Sequence, residues 1–265
     1  MAGDSVESRG LLRSRDSAHV LYLDHDSPVH RMAAHVKTVA MVVFTLVVVL
    51  TAREEFWAFA GYTALLAVVA ALARVRPGWL LSRSLIELPF VIIAVVLPFI
   101  GTGERVDVWG MSLSVEGLYG GWNILVKGTL GVWASLLLAA TTTPRDLVGG
   151  LDRLRFPQVI TQIATFMLRY LEVILGEARR MRIARLSRGY DPRFLWQLKA
   201  FAVGLGSLFL RAFERGERVY LAMLSRGYTG RLPAQEGGGA GVLQWSAAAL
   251  LPLAAAAIAV GTLLR

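Results

Sequence analysis

Cysteine is absent from all 265 residues, which excludes disulfides, thiolate zinc sites and thiol nucleophiles. Lysine is nearly absent: only Lys37, Lys127 and Lys199 occur, so the formal charge of +9 rests on arginine. None of these lysines follows a glycine. The chain therefore lacks a Gly-x-x-x-x-Gly-Lys-Ser/Thr phosphate loop, and ATP energy would have to come from another protein. No apolar stretch precedes Thr38, so a cleavable signal is not expected ahead of the polar, mixed-charge segment 1–37. Aromatic residues make up only 9%, and no Ser-His-Asp set or carboxylate pair falls within one element, so catalytic and cofactor-binding residues are not expected.

What is abundant is aliphatic. The hydrophobic fraction is 55% and the mean hydropathy +0.54, with apolar runs near membrane length at 38–52, 56–73, 85–101, 121–140 and 241–264. This pattern predicts an all-α, polytopic helical membrane protein with about five spans. Arg53-Glu54-Glu55 and the stretch carrying Glu104, Asp107 and Glu116 read as external. Arg74, Arg76 and Arg83, and then Arg145, Arg153 and Arg155, read as cytoplasmic. The N-terminus is then inside the cell membrane and the C-terminus outside. Membrane topology accounts for the basic charge, so nucleic acid is not an expected partner; the lipid bilayer is.

The charge itself sits in one place. From Arg169 to Arg231 there are twelve arginines and one lysine against five acids, Glu172, Glu177, Asp191, Glu214 and Glu217. Residues 158–188 read as one long helix, 194–210 as an apolar segment along the inner membrane surface, and 211–226 as a further helix. The domain reading is a cytoplasmic segment 1–37, a four-span bundle 38–140, a cytoplasmic domain 141–234 and a last span 235–265. Inside the cytoplasmic domain the pentapeptide Leu-Ser-Arg-Gly-Tyr occurs twice, at 186–190 and 224–228, each time two residues after an alanine, Ala184 or Ala222. Gly189 and Gly227 suit the left-handed position that ends a helix. Arg188 and Arg226 would then stand at rigid helix tips, flanked by the small residues Ser187 and Ser225.

At these residues the sequence resembles the transmembrane T component of energy-coupling factor transporters, of the CbiQ type found in cobalt and nickel uptake systems. Members of that family carry two short motifs with a central arginine between small residues. Here these are Ser187-Arg188-Gly189 and Ser225-Arg226-Gly227, with serine where alanine is commoner. The segment Leu23-Asp24-His25-Asp26-Ser27-Pro28-Val29-His30-Arg31 and the run from Leu88-Pro89-Phe90 to Leu97-Pro98-Phe99 are also similar to the cobalt branch. The resemblance implies two ABC-type ATPase subunits that bind ATP and magnesium, one on each motif. It also implies a separate membrane S component that binds the substrate: cobalt first, with nickel or a vitamin such as biotin as alternatives. Ala184, Ser187, Arg188, Gly189, Ala222, Ser225, Arg226 and Gly227 are the expected coupling residues.

Other charged groups invite other chemistry. His19, His25, His30 and His35 with Asp24 and Asp26 suggest a metal site, but histidines five apart on a helix cannot share a face, and Ser27-Pro28 reads as a helix start. Glu87 and Lys127 fall inside apolar runs and are candidates for function, or for snorkelling and for pairing with Arg83 or Asn123. Two further classes stay open at this point: an intramembrane enzyme that uses Glu87, the N-terminal acids and arginines on a phosphorylated lipid, and a self-sufficient channel or carrier.

Overall fold

The computed structural model describes residues 21–101, 104–108, 111–189, 198–230 and 239–263. It divides into two compact units, residues 1–150 with 238–265, and residues 151–237. The first unit holds helices α1 (Ala34–Leu50) and α2 (Phe56–Leu72). Helix α3 (Pro77–Arg83) runs through a 3-10 turn (Ser84–Glu87) into α4 (Leu88–Ile100). Next come strands β1 (Arg105–Val108) and β2 (Met111–Ser114), then α5 (Val115–Thr141), α6 (Pro144–Arg153), which crosses into the second unit, and α9 (Val242–Leu263). Helices α7 (Gln158–Ser187) and α8 (Leu198–Leu224) make the second unit. The chain is a helical membrane protein. In lipid, a helix satisfies its own amides and carbonyls, so apolar runs have little other choice. The stretch Pro77–Ile100 and helices α5, α7 and α9 are each long and apolar enough to cross a bilayer, while α1 and α2 are apolar but shorter.

Helix α5 is the hub of the membrane unit; α1, α2 and α4 all pack on it. The shared core contains Phe44, Tyr62, Leu66, Leu130 and Leu137, all essentially inaccessible. Tyr62 carries its hydroxyl into this core and meets Thr51 Oγ1 at 2.8 Å. Helix α4 touches α5 through glycines spaced four apart. A Cβ on Gly117 would lie 2.5 Å from the Leu97 carbonyl oxygen, and one on Gly121 would lie 2.5 Å from that of Ala94. Close backbone approach of this kind is how apolar helices gain dispersion energy when lipid removes the hydrophobic drive. The rest of α4 is open: Phe90, Ile92, Val95 and Phe99 are all more than half exposed and suit contact with lipid.

Two lysines hold α1 and α5 in register. Lys37 Nζ donates to the Thr141 carbonyl at 2.6 Å, at the last residue of α5. Lys127 Nζ donates to the carbonyls of Val49 (2.7 Å) and Thr51 (2.8 Å) at the end of α1. Each helix therefore supplies the cation that caps the other's C-terminal carbonyls. Lys37 and Thr51 are separated by as many residues as Lys127 and Thr141, a rise of about 21 Å along either helix. The two caps are consequently compatible with a single antiparallel register.

Several sequence expectations are corrected here. The third span begins at Pro77, not at 85, so Glu87 lies well inside it and is 6% exposed. Glu87 neither snorkels nor pairs with Arg83: its Oε2 accepts from Thr129 Oγ1 at 2.8 Å, and its buried Oε1 has no partner among the described residues. Lys127 is mid-helix because Ser114 caps α5 earlier than expected, its Oγ accepting from the Gly117 amide at 3.2 Å. Lys127 pairs with backbone carbonyls, not with Asn123. The antiparallel β1–β2 hairpin between α4 and α5 was not anticipated at all. Segments 194–210 and 211–226 were read as separate, yet Leu198–Leu224 forms one helix.

Ser27-Pro28 starts a turn, and the helix waits until Ala34. The Leu23 amide donates to the Ala140 carbonyl at 3.0 Å, which ties this N-terminal strap to the end of α5. His30 braces the strap: Nε2 donates to the Leu23 carbonyl (3.0 Å), and Nδ1 accepts from Ser27 Oγ (2.7 Å). His19 lies outside the described residues, and no group of metal-ligating side chains occurs among the described ones. Asp26 is engaged by Arg31 through two bonds, which hold its carboxyl below its usual range.

Two predictions come from this unit. Gly121→Leu should force α4 off α5 and cost about 1–3 kcal/mol as an overpacked contact. Gly128→Ala, where a Cβ meets nothing within 4 Å, should leave the detergent melting temperature unchanged or slightly raised. The second concerns pH. Burial holds His30 below its ordinary value, despite the opposing Leu23 bond. A detached strap would therefore take up a proton before a docked one. Docking should be complete above about pH 6.5 and weaken as pH falls through the depressed value. Thiol labelling of Val29→Cys, normally packed against the core, taken relative to a cysteine on an always-exposed site so that thiolate ionisation cancels, should accelerate over that window and lose its pH dependence in a His30→Gln background.

Candidate functional site

The second unit is built from two long helices whose surfaces are largely open. Helix α7 runs thirty residues without proline or an internal left-handed residue, and its one buried side chain is Thr161, which bonds Asp152 Oδ1 at 3.0 Å. Contacts at both ends show that α7 and α8 run antiparallel. Tyr228 Oη donates to Gln162 Oε1 at 3.0 Å, which places the end of α8 at the start of α7. The Met181 methyl approaches Gly204, and the Arg185 guanidinium lies 5.3 Å over the Phe201 ring, which places the end of α7 at the start of α8.

Each helix ends in one copy of the repeated motif, and the two ends are built alike. Gly189 has φ +72° and Gly227 φ +83°, the left-handed geometry that stops a helix. The Gly189 amide donates to the Leu186 carbonyl at 3.0 Å, as the Gly227 amide does to that of Leu224. At the second end the Tyr228 amide also reaches back to the Met223 carbonyl at 3.0 Å; Tyr190 lies outside the described residues. Ser187 Oγ donates to the Ala184 carbonyl (3.1 Å) and Ser225 Oγ to that of Ala222 (3.0 Å). The serines thus fold onto their own helices and leave Arg188 and Arg226 standing exposed. Among the described residues neither guanidinium makes a side-chain hydrogen bond or ion pair.

All eight expected site residues fall at these two tips, four to each. Because the helices are antiparallel, the tips lie at opposite ends of the pair and cannot form one pocket. A Cβ at Gly189 or Gly227 would meet nothing within 4 Å, so φ, not crowding inside the chain, demands glycine there. An open, left-handed tip with a free guanidinium is suited to inserting an arginine fork against carboxylates or carbonyls of another protein.

Other features escaped the sequence reading. Glu177, 13% exposed, accepts from Arg211 (3.0 Å) and Arg215 (3.3 Å), joining α7 to α8 midway. A cavity of about 330 Å³ lies between the helices, lined by Phe166, Tyr170, Ile174, Ala212, Val219 and Met223 among others. Arg185, at the position equivalent to Met223 in the repeat, keeps Nε and one terminal nitrogen buried without a hydrogen-bond partner among the described residues. The signal that could have found Glu177 was the repeat itself, extended upstream of the pentapeptide.

A model of the CbiQ family, described as cobalt transport protein, matches residues 25–236. The chain belongs to that family. It is similar to the energy-coupling factor transporter transmembrane protein EcfT of Bacillus selenitireducens, 31% identical over 232 residues, 79% of this chain and 82% of that one. The corresponding protein of Thermanaerovibrio acidaminovorans is 32% identical over 222 residues with the same coverage. A putative fused cobalt transport protein, CbiMQ, of Methanocorpusculum labreanum is 29% identical over 178 residues, 63% of this chain and 29% of that one. This CbiQ-family chain is accordingly a transmembrane component of the energy-coupling factor type.

The two glycines give a direct test of the tip geometry. Gly227→Ala should cost about 1–2 kcal/mol, all of it conformational, because an L side chain resists the left-handed region. Hydrogen exchange over residues 222–228 should quicken accordingly, and Gly227→Asn should restore part of the protection. Unchanged exchange in Gly227→Ala would contradict the capped end.

Proposed function

We propose that this chain is the energy-coupling subunit of a cobalt importer in the cell membrane, with Arg188 and Arg226 each seated in a groove of one ABC-type ATPase subunit. The observation that carries the reading is the duplicated tip: two helix ends with the same glycine conformation, the same serine back-bond and the same exposed arginine, held apart at opposite ends of one helix pair. Two equivalent plugs suit two copies of one partner. The partners hydrolyse ATP, and a membrane S component binds the substrate. Cobalt is favoured by the description of the matching family and by the name of the fused CbiMQ relative.

The loop charges support an orientation with the N-terminus and both tips in the cytoplasm. Helix α7 is apolar enough to span by composition, but it ends in Arg179, Arg180, Arg182, Arg185 and Arg188, and a spanning α7 would put that cluster on the side opposite Arg145 and Arg153. When the ATPases close on ATP they displace the tips, and the second unit, covalently continuous with the bundle at both ends, transmits the displacement.

The test is copurification from mild detergent followed by reconstituted uptake of radioactive Co2+ against Ni2+. Wild-type protein should bring down two ATPase chains and a small membrane protein, and should prefer Co2+. Arg188→Ala with Arg226→Ala should leave the chain folded and inserted while weakening ATPase association roughly tenfold or more, since a desolvated partner group is left unpaired. Ser187→Phe with Ser225→Phe should block the same contact sterically. Normal association and uptake in both double variants would overturn the reading.

A further inference from the structure

The repeat reaches further upstream than the pentapeptide, and its geometry has a consequence. Aligning Ser187-Arg188-Gly189 with Ser225-Arg226-Gly227 also superposes Arg180 on Arg218, Ala184 on Ala222 and Leu186 on Leu224. In the same register Glu177 falls on Arg215 and Ile174 on Ala212. One of these equivalent pairs meets in space, Glu177 with Arg215 at 3.3 Å, and Ile174 and Ala212 line one cavity between the two helices. Equivalent positions can face each other only where a local two-fold axis relates the two helices. The same relation carries Met181 and Gly204, which approach each other, onto Val219 and Phe166, which line that cavity from the two helices; the equivalent Ile183 and Leu221 are 64% and 63% exposed.

We propose that Glu177 is a positioning residue: it clamps α7 to α8 on this local two-fold axis and acts as the common fulcrum for the two arginine tips. Glu177 precedes Arg188 by as many residues as Arg215 precedes Arg226, so each tip stands about 16 Å along its own helix from the clamp. Equal arms in opposite directions match a partner that is itself two-fold symmetric. A displacement of one tip by its ATPase is then met by the other through the clamp. Arg211, one turn away from Arg215, gives the carboxylate its second donor, so the clamp resists rotation as well as separation. Without Glu177, Arg211 and Arg215 would face each other as like charges one turn apart. This inference rests on the reading of the tips as ATPase plugs, but the geometry it requires is measurable without any partner.

The experiment uses the full cysteine-free chain and the assembled transporter in parallel. Spin labels at Ile183→Cys and Leu221→Cys report the distance between equivalent points on the two arms. Wild type should give one narrow distance distribution, Glu177→Gln a broad one, and Glu177→Arg combined with Arg215→Glu a narrow one again. In the transporter, Glu177→Gln should still copurify with the ATPases but move roughly two- to fivefold less cobalt per ATP hydrolysed, the scale of a partly exposed ion pair. The charge-exchanged double variant should recover that ratio, which a residue needed only for folding would not show. A narrow distribution with a normal ratio in Glu177→Gln would overturn the proposal, as would equal impairment of the single and double variants. Failure of wild-type protein to bind ATPases would instead sink the plug reading, while the distance measurements would still decide whether the clamp exists.

Discussion

The structure of the membrane unit depends on how the last carbonyls of two antiparallel helices are satisfied. A helix leaves its final carbonyls without amide partners, and in hydrocarbon no water can supply them. Lys37 and Lys127 meet that demand reciprocally, each from the body of one helix to the end of the other. The arrangement works in only one register, because the lysine-to-carbonyl spacing is the same on both helices. Once α1 and α5 are fixed, the remaining packing follows. Tyr62 on α2 reaches Thr51 at the end of α1, Gly117 and Gly121 dock α4 on α5, and the N-terminal strap hangs from Ala140 beside the Lys37 cap. The scarcity of lysine in this chain is thus informative: two of its three lysines do what arginine, with its rigid planar fork, would do less compactly.

Hydropathy made the membrane helices legible because lipid imposes a length on apolar runs. It could not mark where those runs begin when polar residues are embedded in them. Glu87 was expected near a span end because a carboxylate is costly in lipid, yet Thr129 and the approach of α5 bury it well inside the stretch from Pro77. Likewise α5 starts at Val115, where the buried Ser114 hydroxyl caps the helix ahead of the apolar run. The β1–β2 hairpin was missed because its strands are too short for alternation to register. The division at residue 210 came from a composition change inside Leu198–Leu224 that leaves the backbone helical, since hydrophobicity and helicity are separate properties.

The tips were legible for a different reason: a helix end is a local structure, fixed by a few consecutive residues. Glycine supplies the left-handed turn, serine bonds within its own last turn, and neither requires knowledge of the rest of the fold. What lay beyond reach was how the two tips relate. That depends on Gln162 meeting Tyr228 and on Glu177 meeting Arg215, pairs far apart in sequence and individually unremarkable.

The Glu177–Arg215 pair also explains why the repeat looks so imperfect. In alignment a glutamate opposite an arginine reads as drift, and the strict identity appears to shrink to five residues. On a two-fold axis the argument reverses. Residues at equivalent positions near the axis face each other, so identical charges there would repel, and identical large side chains would collide. Equivalent positions near the axis must therefore differ in a complementary way, as acid and base do at Glu177 and Arg215. Positions far from the axis never meet, and nothing within the chain forces them apart in sequence. Identity at Leu-Ser-Arg-Gly-Tyr and complementarity at the crossing are then two expressions of one constraint, a pair of related helices that must pack against each other and present the same end twice.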